Sequence, residues 1–396
     1  DVAIIRSKFS NCSLILCSAT LSLESFYNIK NNHFHYYYIK NRFYESNSPS
    51  IQLINMETEI YNNKNTIFSN FLIERIRETL DNNEQIIILQ NRRSYSYIVK
   101  CSNCNKTSNC PNCHVSLKYH KNKNLLKCHH CDYQNSYNKI CTVCKKKSIK
   151  LYGIGTQKIE EILHKLFQSA TILRYDKDST SNKNSHLDIL NQFDNHEADI
   201  LIGTQMIAKG LDFKNVSLVA IINADLGMMF PDFRSGEKTF QLLYQFIGRA
   251  GRHKKNSKAI IQSYNVNDPY IKFACKNQLD DYYKYALDER KDLNYPPYSR
   301  LIKITITGKN KKNISAKIKS VYEKLTIFKN LVILGPAECP IEKINNLYRY
   351  HLIIKSSKND WMNFYKFIIM HIGLREFEMK SNNYQLSIDV DPISFL

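Results

Sequence analysis

DILIGTQMIAKGLDFKNVSLVAIINADLGMMFPDFRSGEKTFQLLYQFIGRAGR, Asp199 to Arg252, decides how the rest of the chain reads. Asp199 to Gly203 (DILIG) is a short apolar run ending in a glycine, as a buried strand does. Thr204 then opens a polar loop, TQMIAKGLDF, at the carboxyl edge of the implied sheet. That edge is where open α/β sheets bind ligands. Val216 to Ile222 (VSLVAII) is a second apolar run, ended by Asn223, Ala224 and Asp225. Phe240, Leu243, Tyr244 and Ile247 have the spacing of one helical face and predict a helix from Glu237 to Gly248. Arg249 and Arg252 follow the glycine, where rigid guanidinium forks can reach phosphate oxygens.

Outward from this stretch the alternation of strand and helix continues. Phe68, Leu72, Ile76 and Leu80 predict a helix, and Gln85 to Gln90 (QIIILQ) predicts a strand. Asn91, Arg92 and Arg93 follow as a basic turn, read either as a solvated loop or as a phosphate contact. After an interruption the pattern resumes at Leu151. Gly153, Gly155 and Thr156 form a loop before a helix whose core face is Ile159, Ile162, Leu163, Leu166 and Phe167. Thr171 to Tyr175 predicts a strand, Leu187, Leu190 and Phe193 mark a helix, and Lys258 to Tyr264 (KAIIQSY) supplies a closing strand. Such alternation with short links predicts an α/β lobe, its parallel sheet covered on both faces. Met228, Met229 and Phe230 read as core packing, with a wedge against base pairs as the other reading.

The interruption runs from Cys101 to Lys150. Cys101 and Cys104, Cys110 and Cys113, Cys128 and Cys131, and Cys141 and Cys144 form four CxxC units separated by five, fourteen and nine residues. Eight thiols so arranged suffice for two tetrahedral four-thiolate zinc sites, because a two-residue gap lets one tight turn present both sulfurs to one ion. Asn105 and Asp132, after the pairs, tolerate the left-handed backbone such a turn often needs. Spacing lets the units combine in three ways, and His114, His129 and His130 are near enough to be rival ligands. The segment has few large apolar side chains, so the metal is first of all a fold-maker. Ten lysines stand against one acid, Asp132, and two zinc ions on eight thiolates leave a charge of about +5. Tyr119, Tyr133 and Tyr137, interleaved with the lysines, suit a surface on which single-stranded bases stack.

At the start of the chain a strand-like run, Leu14 to Cys17, leads to Ser18, Ala19 and Thr20, and Asn41 to Ser50 reads as a polar linker. At the other end Asn265 to Tyr298 is charged and helical, and Pro296 and Pro297 mark a boundary. Beyond it the order is strand (Leu301 to Thr307), helix (Ile314, Ile318, Val321, Leu325), strand (Leu331 to Leu334), strand (Tyr348 to Ile354), helix (around Trp361 to Ile372) and strand (Leu386 to Val390). That is βαββαβ, a ferredoxin-like α+β arrangement, which by itself fixes no function. Tyr348, Arg349 and Tyr350 are candidate contacts, about half of them buried by strand alternation. The expected domains are residues 1–47, 48–100 with 151–265, 101–150, 266–298 and 299–396.

A chain of 396 residues can bury two or three cores. Its formal charge of +20 favours a polyanionic partner such as nucleic acid, although a sequence rich in Asn, Lys, Ile and Tyr is also what an AT-rich genome produces. No apolar run approaches the roughly 18 residues of a membrane span, so no membrane role is expected. Eight of the twelve cysteines are paired as CxxC and suit metal in a reducing cytosol better than disulfides.

GTQMIAKGLDF and QFIGRAGR resemble motifs V and VI of superfamily 2 helicases, and the Ser18-Ala19-Thr20 triplet resembles motif III. The block ADLGMMFPDFRSGEKTFQLLYQFIGRAGR is similar to one family, the bacterial replication-restart helicases called primosomal protein N′ or PriA, and the likeness runs from DVAIIR to IDVDPISFL. The resemblance implies a RecA-like second helicase lobe with an inserted two-zinc module, four cysteines to each ion, preceded by a remnant of the first lobe. It implies nucleotide contacts by Gln245, Gly248, Arg249 and Arg252, the two arginines stabilising charge on the transferring γ-phosphoryl group. It implies DNA contacts by Thr20, Arg92, Arg93, Gly203, Thr204, Gln205 and Lys209. It further implies nested zinc ligation, with Cys101, Cys104, Cys141 and Cys144 on one ion and Cys110, Cys113, Cys128 and Cys131 on the other. Implied partners are branched and single-stranded DNA, other primosome proteins and single-stranded-DNA-binding protein, in a bacterial cytoplasm and associated with the nucleoid. Leu21, Leu211 and Lys214 depart from the family pattern, which has proline, histidine and proline there.

No GxxxxGK[ST] loop and no DExH box occurs in these residues. Two arginines without a phosphate cradle and a magnesium carboxylate cannot hydrolyse ATP, so the expectation is a carboxyl-terminal part of an ATP- and Mg2+-dependent 3′ to 5′ DNA helicase, inactive alone. The rival reading is a non-enzymatic zinc module that binds DNA or a partner, its helicase lobe vestigial.

Overall fold

The computed structural model describes residues 2–39, 48–62, 67–90, 98–101, 103–104, 108–112, 117–120, 124–128, 131, 133–141, 143–152, 155–176, 179, 185–208, 212–250, 256–328, 331–357, 361, 366 and 384–395. In chain order the elements begin with α1 (Val2–Phe9), α2 (Leu23–Lys30), β1 (Ser50–Asn55), α3 (Met56–Asn62), α4 (Asn70–Asp81) and β2 (Gln85–Leu89). Five short strands follow: β3 (Ile98–Cys101), β4 (Lys118–His120), β5 (Leu125–Lys127), β6 (Gln134–Ser136) and β7 (Ile149–Tyr152). Then come α5 (Thr156–Leu166), β8 (Ile172–Tyr175), α6 (Ser185–Asp194), β9 (Ile200–Gly203), β10 (Val216–Ile221), α7 (Ser235–Ile247), β11 (Lys258–Ser263), α8 (Pro269–Cys275) and α9 (Leu279–Asp292). The last elements are β12 (Arg300–Gly308), α10 (Lys311–Leu325), β13 (Val332–Ile344), β14 (Leu347–Ser356) and β15 (Tyr384–Val390).

Six strands form one parallel sheet in the order β1-β11-β10-β2-β9-β8. Buried on both faces, β2 sends Ile86 and Ile88 into one core with Phe68, Leu72, Ile76, Ile159 and Leu163, and Ile87 and Leu89 into another with Phe240, Leu243 and Leu23. This double burial is why the strand reads as an unbroken apolar run. Ser69 starts α4 by accepting the Leu72 N–H at 3.1 Å. β9 and β10 lie on opposite sides of β2, so the order of connection reverses there. The loops after β9 and β10 therefore flank the crevice where such sheets take ligands.

The inserted module leaves the lobe on β3 and returns on β7, paired antiparallel from Ile98 opposite Tyr152 to Cys101 opposite Ile149. Its sheet has the order β6-β5-β4-β3-β7. The C-terminal sheet has the order β13-β14-β12-β15 with every neighbour antiparallel. Ile302, Ile304 and Ile306 face Ile314, Ile318, Val321 and Leu325 of α10. Each of those four helix side chains is buried and contributes about 1.5–3 kcal/mol of hydrophobic stabilisation. The opposite face buries Leu301 and Ile353 against Phe395, Phe233 and Tyr295.

Several expectations need correction. Leu14 to Cys17 is an exposed irregular segment, with no strand beside it among the described residues to complete a ladder. The expected strand at Lys258 is present as β11, and the sheet extends one strand beyond it to β1, at the end of the polar linker, which takes the edge. Leu166 is exposed, just off the core stripe of its helix. Met229 is 70% and Phe230 54% exposed, so only Met228 of that triplet packs against the core. β13 is 13 residues long, far beyond the predicted Leu331 to Leu334. Most of the helix expected around Trp361 to Ile372 lies outside the described residues.

Candidate active site and metal centres

The loop after β9 is held tightly. A Cβ on Gly203 would fall 2.1 Å from Ile207 Cδ1 and 2.5 Å from the Tyr175 carbonyl, so the glycine is required by close approach. Thr204 and Gln205 open a turn in which Ile207 N–H donates to Thr204 O at 3.0 Å and Ala208 N–H to Gln205 O at 3.3 Å. Two turns beyond α7 prolong the chain past Gly248, with Arg249 N–H on Phe246 O and Ala250 N–H on Ile247 O. Arg249 Nη2 then donates to Ala208 O at 2.8 Å, joining the residues after α7 to the loop after β9. Gln245 Nε2 donates to Thr20 Oγ1 at 3.0 Å. Thr20, Gly203, Thr204, Gln205, Gln245, Gly248 and Arg249 are thus brought to one edge of the lobe. Arg92, Arg93, Lys209 and Arg252 lie outside the described residues.

The contact with Thr20 is one rung of a ladder not evident in the sequence. Glu237, Gln241 and Gln245 recur every four residues along α7, a polar line beside the buried apolar face of Phe240, Leu243, Phe246 and Ile247. Glu237 Oε1 accepts the Leu23 N–H at 3.3 Å, and Gln241 Nε2 donates to Leu21 O at 3.3 Å. Beside the first rung, Arg234 donates to Glu24 at 2.6 Å and 3.2 Å and to Glu237 at 3.3 Å, and Arg290 donates to Glu237 at 3.0 Å. Burial raises the Glu237 carboxyl above its ordinary range, the Glu24 charge adds to this, and Arg234 and Arg290 offset only part. Burial acts the same way on Glu24, but the Arg234 hydrogen bond and charge prevail and hold that carboxyl below its usual range. The periodic Glu-Gln-Gln line was the one signal that could have pointed to these residues.

In the inserted module Cys101, Cys104, Cys141 and Cys144 place their sulfurs within 4.8 Å of one another, and so do Cys110, Cys128 and Cys131. Cys101 and Cys144 are 3.6 Å apart, Cys104 and Cys141 3.7 Å, and Cys110 and Cys131 3.5 Å. A tetrahedron with metal–sulfur bonds of about 2.3 Å has sulfur edges of roughly 3.8 Å, so both groups fit a thiolate-bound ion. Of the three combinations open from spacing, the geometry brings together the nested one. Cys113, His114, His129 and His130 lie outside the described residues. Burial pushes the Cys101 thiol up, but Ser148 Oγ at 2.9 Å and the N–H groups of Cys104 and Asn103 outweigh it and bring it down to about 6, favouring the ligating thiolate. Asn112 Nδ2 lies 3.8 Å from Cys131 Sγ.

Residues 120–254 match the profile of the Helicase conserved C-terminal domain, and residues 291–393 that of the Primosomal protein N C-terminal domain. The Replication restart protein PriA of Bacillus subtilis is 37% identical over 394 residues, covering 99% of this chain and 49% of that protein. That of Borreliella burgdorferi is 39% identical over 394 residues, 99% of this chain and 58% of that protein. The chain thus spans about half the length of the curated relatives it matches. Among solved structures, RecG bound to a three-way DNA junction aligns with 61% of this chain and 22% of its own at 13% identity and a TM-score of 0.34, too distant to add to the sheet order above. With near-complete coverage of the chain by these relatives and two family profiles matched in order, the chain belongs to the PriA replication restart family.

Proposed function

We propose that this chain supplies the second motor lobe, a zinc module and a C-terminal domain to an ATP-dependent 3′ to 5′ DNA helicase that restarts replication at stalled or branched forks. The observation that carries this reading is the convergence of Thr20, the loop after Gly203, Gln245 and Arg249 on one sheet edge, tied by the 3.0 Å and 2.8 Å hydrogen bonds above. Magnesium-bound ATP would enter from the facing lobe. Arg249 and Arg252 would reach its γ-phosphoryl oxygens and offset the charge that grows as the phosphoryl group transfers, while Gln245 and Gly248 fix their approach. Thr20, Thr204, Gln205 and Lys209, with Gly203 setting the loop, would hold the DNA backbone, joined by Arg92 and Arg93 at the end of β2.

Zinc is the ion that suits two all-cysteine tetrahedra, and it would staple residues 101–150, whose own apolar core is small. The C-terminal sheet order, with the first strand between the third and fourth, supports a ferredoxin-like fold for residues 299–396. Residues 48–100 with 151–265 would be the RecA-like lobe, 1–47 a piece of the first lobe with its linker, and 266–298 a helical connector. A charge of +20 suits branched and single-stranded DNA, and the family likeness favours primosome proteins and single-stranded-DNA-binding protein as partners in a bacterial cytoplasm near the nucleoid.

DNA-stimulated ATP hydrolysis by the protein expressed from its complete coding sequence tests the reading. Arg249→Ala should abolish turnover, and the 396-residue chain alone should show none. Turnover by the isolated chain, or native mass spectrometry free of bound metal, would overturn it.

A further inference from the structure

The ladder on α7 reaches further than the candidate active site. At its amino-terminal end Arg234 and Arg290 each lie over the Phe233 ring, with guanidinium carbons 4.9 Å and 4.5 Å from its centroid. Phe233 stacks on Tyr295 at 4.9 Å and packs on Phe395 at 4.9 Å. Ser394 Oγ donates to Asp232 Oδ2 at 2.7 Å, and the buried Lys303 Nζ of β12 donates to Phe395 O at 2.7 Å. Residues 20–24, α7 and the chain end that lines the C-terminal sheet therefore meet at one junction. Two carboxylates and two guanidiniums form its centre, with the Arg290 and Glu237 side chains only 3% and 5% exposed.

We propose that Arg234 is a positioning residue for Arg249: it clamps α2 to the start of α7, so that a displacement of the Thr20 loop moves α7 as one rod, and Phe233 passes the same displacement to residues 391–395 of the C-terminal domain. The proposal rests on the reading of Arg249 given above. Its physical basis is the arrangement of the rungs. Glu237, Gln241 and Gln245 are spaced one helical turn apart on the same face, and each binds a different point of residues 20–23, so the segment and the helix cannot slide past each other without breaking all three. A helix of 13 residues spans about 20 Å and is stiff over that length, which puts Arg249 at the far end of a lever whose near end is Arg234. The fork of Arg234, bound to both Glu24 and Glu237, is geometry that lysine cannot reproduce.

Two measurements test this. In the 396-residue chain, hydrogen exchange of Arg234→Gln should rise together in residues 20–30, 245–250 and 384–395. A rise confined to residues 20–30 and the start of α7 would overturn the relay. In the complete helicase, Arg234→Gln and Arg234→Lys should each lower DNA-stimulated kcat about tenfold, with KM for ATP within about twofold of wild type. Exchanging the charges as Glu24→Arg with Arg234→Glu should recover part of the loss from Arg234→Glu alone. Arg234→Lys, which keeps the charge, separates lost geometry from failure to fold, its melting temperature being read alongside. Normal kcat in Arg234→Lys and Arg234→Gln, with Arg249→Ala inactive, sinks this inference alone. Normal kcat in Arg249→Ala sinks the underlying reading and the inference with it.

Discussion

Asn346 donates its backbone N–H to the carbonyl of Asn112 at 3.0 Å, which seats the tip of the β13–β14 hairpin on the turn that follows Cys110. Lys343 Nζ adds a bond to Pro111 O at 3.1 Å, and Ile344 packs against the cysteine cluster. The turn beside the candidate metal ligands is therefore also the platform for the C-terminal hairpin. Chelation should raise amide exchange in residues 338–350 along with the module, leaving β2, β9 and β10 protected. Unchanged exchange in the hairpin would show that its seat does not depend on the ion.

Gly203→Ala should be costly. The added methyl would meet Ile207 and the Tyr175 carbonyl at distances no Cβ adopts, and Tyr175 lies opposite Gly203 in the β8–β9 ladder, so edge strand β8 can retreat only by loosening that pairing. A loss of roughly 1–3 kcal/mol in urea unfolding is expected. On the proposed function, impaired ATP turnover by the full-length protein should accompany it, because the loop that meets Arg249 must shift.

His351 sets a pH dependence of the C-terminal domain. Burial, with Lys303 and Arg349 nearby, pushes its imidazole down to about 4. The unfolded chain takes up that proton near 6.5 and the folded one only near 4, so the stability is intact above about 6.5 and falls as the pH drops through that window. The loss should be on the order of 3 kcal/mol and should flatten in His351→Leu, read by chemical unfolding at pH 7, 5.5 and 4.5.

Met229→Ala and Phe230→Ala should leave the melting temperature nearly unchanged, within about 0.5 kcal/mol of stability, because both side chains are solvent-exposed. On the proposed function, lower unwinding by the full-length protein with intact ATP turnover would place them in contact with DNA.

The parts of the fold that were legible are those whose cause is local. β2, β9 and β10 read as strands because burial on both sides leaves unbroken apolar runs, and the CxxC units declare themselves by spacing alone. What was hidden depends on distant partners. β1 becomes a strand by pairing with β11, Ser50 opposite Lys258, and its own residues alternate too weakly to say so. β13 hides its length behind Gly335, Pro336 and Pro340, breakers that its irregular pairing with β14 absorbs at two register shifts. The rungs on α7 could not be foreseen in detail, because their acceptors and donors lie more than 200 residues away. Exposure of Met229 and Phe230 went against composition, which favours large apolar residues inside.

The antiparallel pairing of β3 with β7 makes the cysteine module a cassette on a double stalk. Its departure and return points are neighbours, so the host sheet closes the same circuit whether the payload is present or replaced by a tight turn across Ile98 and Tyr152. A lobe built this way can exchange its inserted module without altering the sheet that carries it.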